Sequence, residues 1–133
     1  MKNYVFDSFA IIAFYADEKG SDLVEKILTE CLTGKARGWM TVINWGEIFY
    51  ATAKVKGLKV ALDIMKNLES YPLIIVDADK NLTWEAAKLK AKYPIAYADC
   101  FALALAKQKE ADLLTGDPEF RKVKENVKII WLA

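Results

Sequence analysis

The sequence contains no histidine. That absence excludes Ser-His-Asp and Cys-His nucleophilic catalysis, imidazole acid–base chemistry and histidine-ligated zinc or haem. The two cysteines, Cys31 and Cys100, form no CxxC pair, which excludes a thiolate metal cluster. An enzyme of this composition would therefore use carboxylates, lysines, hydroxyls, backbone amides and hard metal ions. Among those ions, Mg²⁺ and Mn²⁺ suit carboxylate ligands best.

The sequence also lacks an apolar run long enough to span a membrane, and its N-terminus has no signal-peptide pattern. Together with the low cysteine content, this predicts a cytoplasmic protein with no membrane partner. The formal net charge is only +1, so any contact with nucleic acid must come from local patches. Lysine far outnumbers arginine and glutamine occurs once, a composition that leans towards thermophiles.

Short apolar segments alternate with helical patterns along the whole chain. The predicted strands are 4–6, 39–41, 73–76, 113–114 and 127–132. The predicted helices are 8–15, 23–32, 44–56, 58–70, 82–92 and 97–109, followed by a short helix opened by Asp117 and Pro118. This alternation predicts a single domain, residues 1–133, with a three-layer α/β/α sandwich around a central, mostly parallel sheet of about five strands. In such sheets the functional crevice lies beyond the carboxyl ends of the strands.

Three carboxylates stand alone in apolar surroundings. Asp7, Glu47 and Asp99 are each the only charged residue in a stretch of at least 13 residues. A fourth acid, Asp117, directly follows a predicted strand. Burying an unpaired carboxylate is costly, and two of them 4 Å apart repel by roughly 4 kcal/mol at an effective dielectric near 20. A cluster of these acids at one sheet edge would therefore need a divalent cation or a cationic partner.

Each of these acids also has a purely structural interpretation. Asp7 and Asp117 are suited to capping helices, the latter with a proline directly after it. Asn44 and Glu47 have the spacing of a capping box. Asp99 near a helix start would be favoured by the helix dipole. The four acids in conjunction, more than any one of them, indicate a shared site.

Four segments in this order form a recognisable set: Val5-Phe6-Asp7-Ser8, Thr41–Ile48, Ala98–Ala106 and Asp112–Phe120. The set resembles the PIN-domain family of metal-dependent nucleases and, within it, the VapC-type toxins of prokaryotes, over the whole chain. The resemblance implies that the acidic cluster consists of Asp7, Glu47, Asp99 and Asp117. It also implies supporting polar roles for Ser8, Asn44 and Thr115, although a helix cap or a strand-end turn explains Ser8 and Thr115 equally well.

The resemblance implies an endoribonuclease that hydrolyses RNA phosphodiester bonds with one or two Mg²⁺ or Mn²⁺ ions. Asp7, Asp99 and Asp117 would bind the metal, and Glu47 would do so directly or through water; all four are candidate catalytic residues. The resemblance further implies a homodimer and a VapB-type antitoxin, with DNA contacted only indirectly through that antitoxin.

An acidic pocket repels RNA, so flanking cations must guide the substrate. The candidates are Lys35, Arg37, Lys54, Lys56 and Lys59. Each of them is equally consistent with an ordinary solvated helix end.

Other functions remain open. One is a PIN-like module that binds RNA or protein without catalysis, its acids being structural, and another is a PIN nuclease of general RNA processing. A phosphatase or phosphotransfer enzyme with Asp7 as nucleophile has less support, because Phe9 stands where a second aspartate would be expected. The sequence also contains no phosphate-binding glycine loop.

Overall fold

A parallel sheet forms the centre of the computed structural model, which describes residues 1–132. The five strands in this range are β1 (Lys2–Phe6), β2 (Ala36–Thr41), β3 (Leu73–Val76), β4 (Asp112–Thr115) and β5 (Ile129–Trp131). Their order across the sheet is β3-β2-β1-β4-β5, and every neighbouring pair is parallel. All five carboxyl ends consequently lie along one edge of the sheet.

Helices cover both faces of the sheet. Within residues 1–132 they are α1 (Ser8–Tyr15), α2 (Ser21–Leu32), α3 (Val42–Lys56), α4 (Leu58–Leu68), α5 (Lys80–Lys92) and α6 (Tyr97–Lys109), with a short 3₁₀ helix at Pro118–Lys122. Helices α1 to α4 contribute to one apolar cluster, and α5 and α6 to the other. The predicted three-layer α/β/α sandwich is therefore confirmed. No helix in the described range is both long enough and apolar enough to cross a membrane.

Alternation along the strands divides the core between the two faces. Val5 and Leu113 pack with α5 and α6, whereas their neighbours Phe6 and Leu114 pack with α1 and α2. All four side chains are fully buried. Because successive strand residues point to opposite faces, a strand covered on both sides must be apolar at every position.

Helix α6 is buried along nearly its whole length. Its residues from Asp99 to Ala106 are all buried, which is the pattern of a helix enclosed on every side. The apolar run of this helix carries Asp99 into the interior. Because α6 leads into β4, the first turn of α6 lies at the carboxyl edge of the sheet.

Several element boundaries differ from the sequence prediction. Strand β2 begins at Ala36, three residues before the predicted start at Trp39. Gly38, which weakens a strand pattern, is required there by packing. A Cβ at this position would lie 2.7 Å from Leu73 Cδ2 and 2.9 Å from Phe6 Cε1. Strand β5 is shorter than predicted, covering Ile129–Trp131.

The cap of α3 also differs from the prediction. The helix begins at Val42, and the hydroxyl of Thr41 accepts a hydrogen bond from the Asn44 backbone N–H at 3.0 Å. The expected capping box of Asn44 and Glu47 is therefore wrong, since both residues lie inside the helix. In α1 the cap is Asp7, whose Oδ1 accepts from the Ala10 N–H at 2.9 Å.

A single carboxylate fastens the segment before β5 to the helical layer. Glu125 accepts hydrogen bonds from Lys107 at 2.6 Å, from Lys92 at 2.8 Å and from the Tyr93 hydroxyl at 2.6 Å. The bonds from Lys107, Lys92 and Tyr93 lower the pKa of Glu125 to about 2. The side chain of Glu125 is only 9% exposed, so this anchor holds the end of the chain against α5 and α6.

Candidate metal centre

Four acids predicted from the sequence come to the same edge of the sheet. Asp7 directly follows β1, and Asp117 lies two residues after β4. Glu47 lies in the second turn of α3, which begins where β2 ends, and Asp99 lies in the first turn of α6. Parallel strands bring three of these positions together, and the crossover helix α6 supplies the fourth.

Asp7 is the most enclosed of the four acids. Its side chain is 1% exposed, and its Oδ2 accepts a hydrogen bond from the Thr115 hydroxyl. The same hydroxyl oxygen accepts from the Asp117 backbone N–H at 3.0 Å, so Thr115 connects two of the acids. Burial raises the pKa of Asp7 to about 7, although the hydrogen bonds from Thr115 and Ala10 oppose this rise.

Asp99 is buried without full compensation. The residue is 8% exposed, and its buried Oδ2 has no hydrogen-bond partner within residues 1–132. Burial and then the charges of Asp117 and Asp7 raise the pKa of Asp99 to about 8. A buried carboxylate oxygen without a hydrogen-bond partner, beside other carboxylates, indicates that a cation is missing. Carboxylate oxygens are the ligands that Mg²⁺ and Mn²⁺ prefer. The residues at this edge therefore fit a divalent cation.

Glu119 joins this cluster, although sequence reasoning did not select it. Carboxylate oxygens of Asp99, Asp117 and Glu119 all lie within 4.8 Å of one another. Glu119 Oε2 accepts from the Ala96 backbone N–H at 3.3 Å, and the Glu119 N–H donates to Asp117 Oδ1 at 2.9 Å. In the sequence, Glu119 looks like an ordinary acid in the first turn of a short helix. Its approach to Asp99 depends on the packing of α6.

Glu47 is held at the rim of the cluster by two hydroxyls. Its Oε1 accepts from Ser8, and its Oε2 accepts from the Tyr50 hydroxyl at 3.4 Å. The charge of Glu47 contributes to the raised pKa values of Asp7 and Asp99. Glu47 is half-buried, and within the described range it lies outside the 4.8 Å group. This position suits a direct ligand less well than one that acts through water.

Asn44 connects two of the elements that carry the acids. Its side chain is fully buried, and its Oδ1 accepts from the Thr41 hydroxyl at 2.6 Å. Its Nδ2 donates to the Ala98 carbonyl at 3.3 Å, directly before Asp99. Asn44 therefore joins the start of α3 to the start of α6. The sequence indicated Asn44 but not Thr41, because only the position of the helix start reveals the cap.

A family model for the PIN domain matches residues 4–126. The chain belongs to the PIN-domain family. Among proteins with curated descriptions, none matches this chain.

Solved structures with this PIN fold include toxin–antitoxin complexes. DNA-bound VapBC from Salmonella typhimurium superposes with a TM-score of 0.76 at 16% identity, covering 100% of both chains. VapBC2 from Rickettsia felis, bound to a promoter DNA fragment, has a TM-score of 0.74 at 19% identity and covers 96% of this chain and 97% of that chain. VapC20 from Mycobacterium tuberculosis, a toxin that cleaves the sarcin-ricin loop, has a TM-score of 0.70 at 13% identity, with coverages of 90% and 93%. At these identities the likeness establishes the fold.

The cationic candidates of this PIN domain lie at different distances from the acids. Lys35 precedes β2 and Arg37 is its second residue, so both lie at the amino edge of the sheet. The length of β2 separates Lys35 from Thr41 by about 20 Å, at ~3.3 Å per residue. The structure does not bring Lys35 or Arg37 to the acidic cluster, because they lie at the amino end of β2 and the acids lie beyond its carboxyl end.

The lysines of the α3–α4 hairpin are differently placed. Lys54 Nζ lies 5.4 Å from the centroid of the Tyr50 ring, whose hydroxyl donates to Glu47, so Lys54 shares the helix face of the acidic rim. Lys56 ends α3, and Lys59 in α4 forms an exposed ion pair with Asp63 at 3.5 Å. Of the five candidates, Lys54 is the one connected to the site through contacts.

Proposed function

We propose that this PIN domain is a metal-dependent endoribonuclease, using Mg²⁺ or Mn²⁺, that hydrolyses RNA phosphodiester bonds. The observation that carries the proposal is the buried carboxylate of Asp99, whose Oδ2 has no hydrogen-bond partner among residues 1–132 and lies beside the carboxylates of Asp117 and Glu119. A binding module has no need to maintain such repulsion in its interior. In a metal-dependent hydrolase the repulsion among these carboxylates has a function, because the same charges bind the cation.

Each acid has a proposed role in the reaction. Asp7, Asp99 and Asp117 would hold one or two divalent cations. A cation held there would supply Lewis-acid chemistry: polarisation of a phosphate oxygen, a lower pKa of water and stabilisation of the leaving oxygen. Glu47, fixed by Ser8 and Tyr50, orients the attacking water at the rim of the site. Thr115 and Asn44 hold the elements that carry the acids, through their bonds to Asp7 and to the Ala98 carbonyl.

The test is RNA cleavage by the purified protein with Mg²⁺ or Mn²⁺, with EDTA, and by the Asp99→Asn variant. A matched control is Asp63→Asn, which alters an exposed aspartate on α4. We expect cleavage by the wild type and the control, and none in EDTA or with Asp99→Asn. Cleavage that survives Asp99→Asn would refute the assigned site. Absence of both cleavage and metal-dependent stabilisation would favour the binding module.

We further propose that the chain is the toxin of a VapBC-type pair. The structurally similar complexes from Salmonella and Rickettsia contain VapB and VapC together, which supports this role. Regulated expression of the wild-type chain in bacteria should arrest growth, whereas Asp99→Asn should not. Normal growth with an active nuclease would instead favour general RNA processing.

An apolar groove is a suitable surface for the antitoxin. It has a volume of about 570 Å³ and lies between the end of α1 and the α3–α4 hairpin, with Ile12, Ile48, Val55, Val60 and Ile64 in its lining. Val55 is 80% exposed and Val60 is 40% exposed, so the groove presents a shared apolar surface of the kind that marks interaction sites. We propose that a VapB-type antitoxin covers this groove and places a basic side chain against the acidic cluster. DNA would then be contacted only through the antitoxin.

If the antitoxin binds in this groove, a substitution there should weaken antitoxin binding without affecting RNA cleavage. Val55→Asp should prevent co-purification of the antitoxin when both genes are expressed from their native genomic region, while RNA cleavage persists. Co-purification that survives this change would place the antitoxin elsewhere. We also propose a homodimer, for which analytical ultracentrifugation is the test; a monomer at micromolar concentration would contradict it.

A further inference from the structure

Phe9 is an exposed aromatic side chain at the acidic edge of the sheet. It lies in the first turn of α1, two residues after Asp7, and is 40% exposed. The apolar residues that follow it, Ala10, Ile11 and Ala13, are buried, whereas Phe9 belongs to neither of the two apolar clusters of the core. Packing in the core therefore does not explain the presence of a large ring at this position.

The Phe9 ring lies directly against Gly116. A Cβ built on Gly116 would lie 2.8 Å from Phe9 Cδ1 and closer still to Cε1, so a side chain there would collide with the ring. Gly116 is not among the glycines of residues 1–132 that have a positive φ, so the ring, and not the backbone conformation, requires glycine here. Because Gly116 stands between Thr115 and Asp117, this contact places the ring beside the carboxylates.

The Phe9 ring differs from other exposed aromatic rings in having no ring or cation against it. The Tyr97 ring lies 5.0 Å from the Phe101 ring, and the Trp84 ring lies 5.9 Å from Lys88 Nζ. Among residues 1–132, no aromatic or cation–π pair includes Phe9. A single exposed aromatic residue needs no explanation in itself, so the position of this one, against the loop that carries Asp117, decides its interpretation.

We infer that Phe9 is a stacking platform for an unpaired base of the RNA, next to the phosphate that is cleaved. This inference rests on the proposed nuclease function and names the class of its substrate. A nucleotide joins its base to its phosphate, so a phosphate at the acidic cluster brings a base near the ring. Phenylalanine offers an aromatic surface without a hydrogen-bonding group, and such stacking tolerates every base.

The platform selects unpaired nucleotides over duplex RNA. In a duplex the bases stack on one another, and the deep, narrow major groove of RNA excludes side chains. In single strands and loops the bases can turn outward and stack on aromatic side chains. Phe9 would therefore favour cleavage in single-stranded segments of any sequence.

The measurement is RNA binding by the full chain, followed by fluorescence anisotropy in EDTA at low ionic strength. Metal-dependent cleavage is absent under these conditions, and phosphate contacts are strongest. The probes are a short single-stranded RNA of mixed sequence, an abasic strand of the same length and an RNA duplex. Phe9→Leu removes the ring but keeps an apolar side chain, whereas Phe9→Tyr keeps the ring. The matched control is Trp84→Leu, which changes an exposed aromatic residue on α5.

Phe9→Leu should weaken binding of the single-stranded RNA by about 5–150-fold, the equivalent of the ~1–3 kcal/mol that stacking of one base supplies. Phe9→Tyr and Trp84→Leu should bind this RNA as the wild type does. The abasic strand should bind the wild type more weakly than the strand with bases. Phe9→Leu should not weaken binding of the abasic strand further, because the stacked base is already missing.

Several outcomes would overturn the inference. Wild-type affinity in Phe9→Leu would do so, and would leave the ring as a contact for a protein partner. An equal loss with the abasic strand or the duplex would also overturn it, since neither offers an unpaired base, as would an equal loss in Phe9→Tyr.

The same experiment separates this inference from the proposed function. If the wild type binds no single-stranded RNA, the platform fails, and cleavage with Mn²⁺ still decides whether the chain is a nuclease. Ring-dependent binding by a chain that cleaves no RNA would support the platform and refute the nuclease.

Discussion

Replacing Asp99 by asparagine should stabilise the metal-free protein. Burial and the neighbouring carboxylates raise the pKa of Asp99 to about 8. The unfolded chain has an ordinary aspartate pKa of ~3.9, so the folded protein binds this proton more tightly. The stabilisation of the folded state by this proton is fully present below pH ~4, and it is lost as the pH rises towards 8.

The expected gain follows from these values. One pKa unit corresponds to ~1.4 kcal/mol. Asp117 and Asp7 still repel each other in the variant, so the substitution relieves only part of the repulsion in the cluster. We therefore expect Asp99→Asn to raise the free energy of unfolding by only about 1–3 kcal/mol at pH 8. An asparagine amide can also donate a hydrogen bond to the adjacent Asp117 carboxylate. At pH 5, where the folded-state Asp99 is already protonated, the gain should largely disappear.

Urea unfolding at pH 5 and pH 8 tests this prediction, first in EDTA and then with Mn²⁺. Asp63→Asn serves as the control, since that carboxylate is exposed. In saturating Mn²⁺ the order should reverse, because a ligand at 100 times its Kd adds about 2.7 kcal/mol to the wild type. An Asp99→Asn variant less stable than the wild type in EDTA at pH 8 would refute the electrostatic reasoning.

Three further predictions concern the fold and the substrate path. Glu125→Gln should destabilise the protein, because it removes the charge from hydrogen bonds with two lysines. The expected loss is only about 1–2 kcal/mol at pH 7, because these lysines are partly exposed. Because the folded pKa of Glu125 is lowered to about 2, the difference should fade as the pH drops from ~4.3 towards 2 in denaturant titrations. Gly46→Ala should raise the free energy of unfolding by ~0.5–1 kcal/mol, because a Cβ built there meets no atom within 4 Å beyond its chain neighbours and the nearby backbone of its own helix; a loss of stability would show a hidden constraint. Lys54→Ala should reduce the slope of log affinity for RNA against log salt by about 1, whereas Lys35→Ala should not; equal slopes would remove Lys54 from the RNA path.

The sequence was sufficient for the fold and for much of the acidic cluster. Apolar runs with turn residues between them predicted each strand and α-helix that the structure describes in residues 1–132, because a sheet buried on both faces leaves uninterrupted apolar strands. Asp7, Glu47 and Asp99 were detectable because their neighbours are apolar, and such acids must be paired or functional. Their convergence followed from the parallel sheet, whose carboxyl ends share one edge.

Other parts of the site depended on contacts distant in sequence. Glu119 meets Asp99 because its carboxylate bonds to Ala96, 23 residues away, and no local pattern shows this. The cap at Thr41 was missed because Asn44 and Glu47 imitate a capping box three residues later. The start of β2 at Ala36 was missed because Gly38 weakens the strand pattern, although its missing side chain makes room for Phe6 and Leu73.

The central claim is that the carboxyl edge of the sheet holds a divalent cation between carboxylates. The most direct measurement is an anomalous difference map from crystals of the protein grown with Mn²⁺. We predict a peak within bonding distance of carboxylate oxygens of Asp99, Asp117 and Glu119. A map without a peak at millimolar Mn²⁺, or with peaks only elsewhere on the surface, would contradict the account.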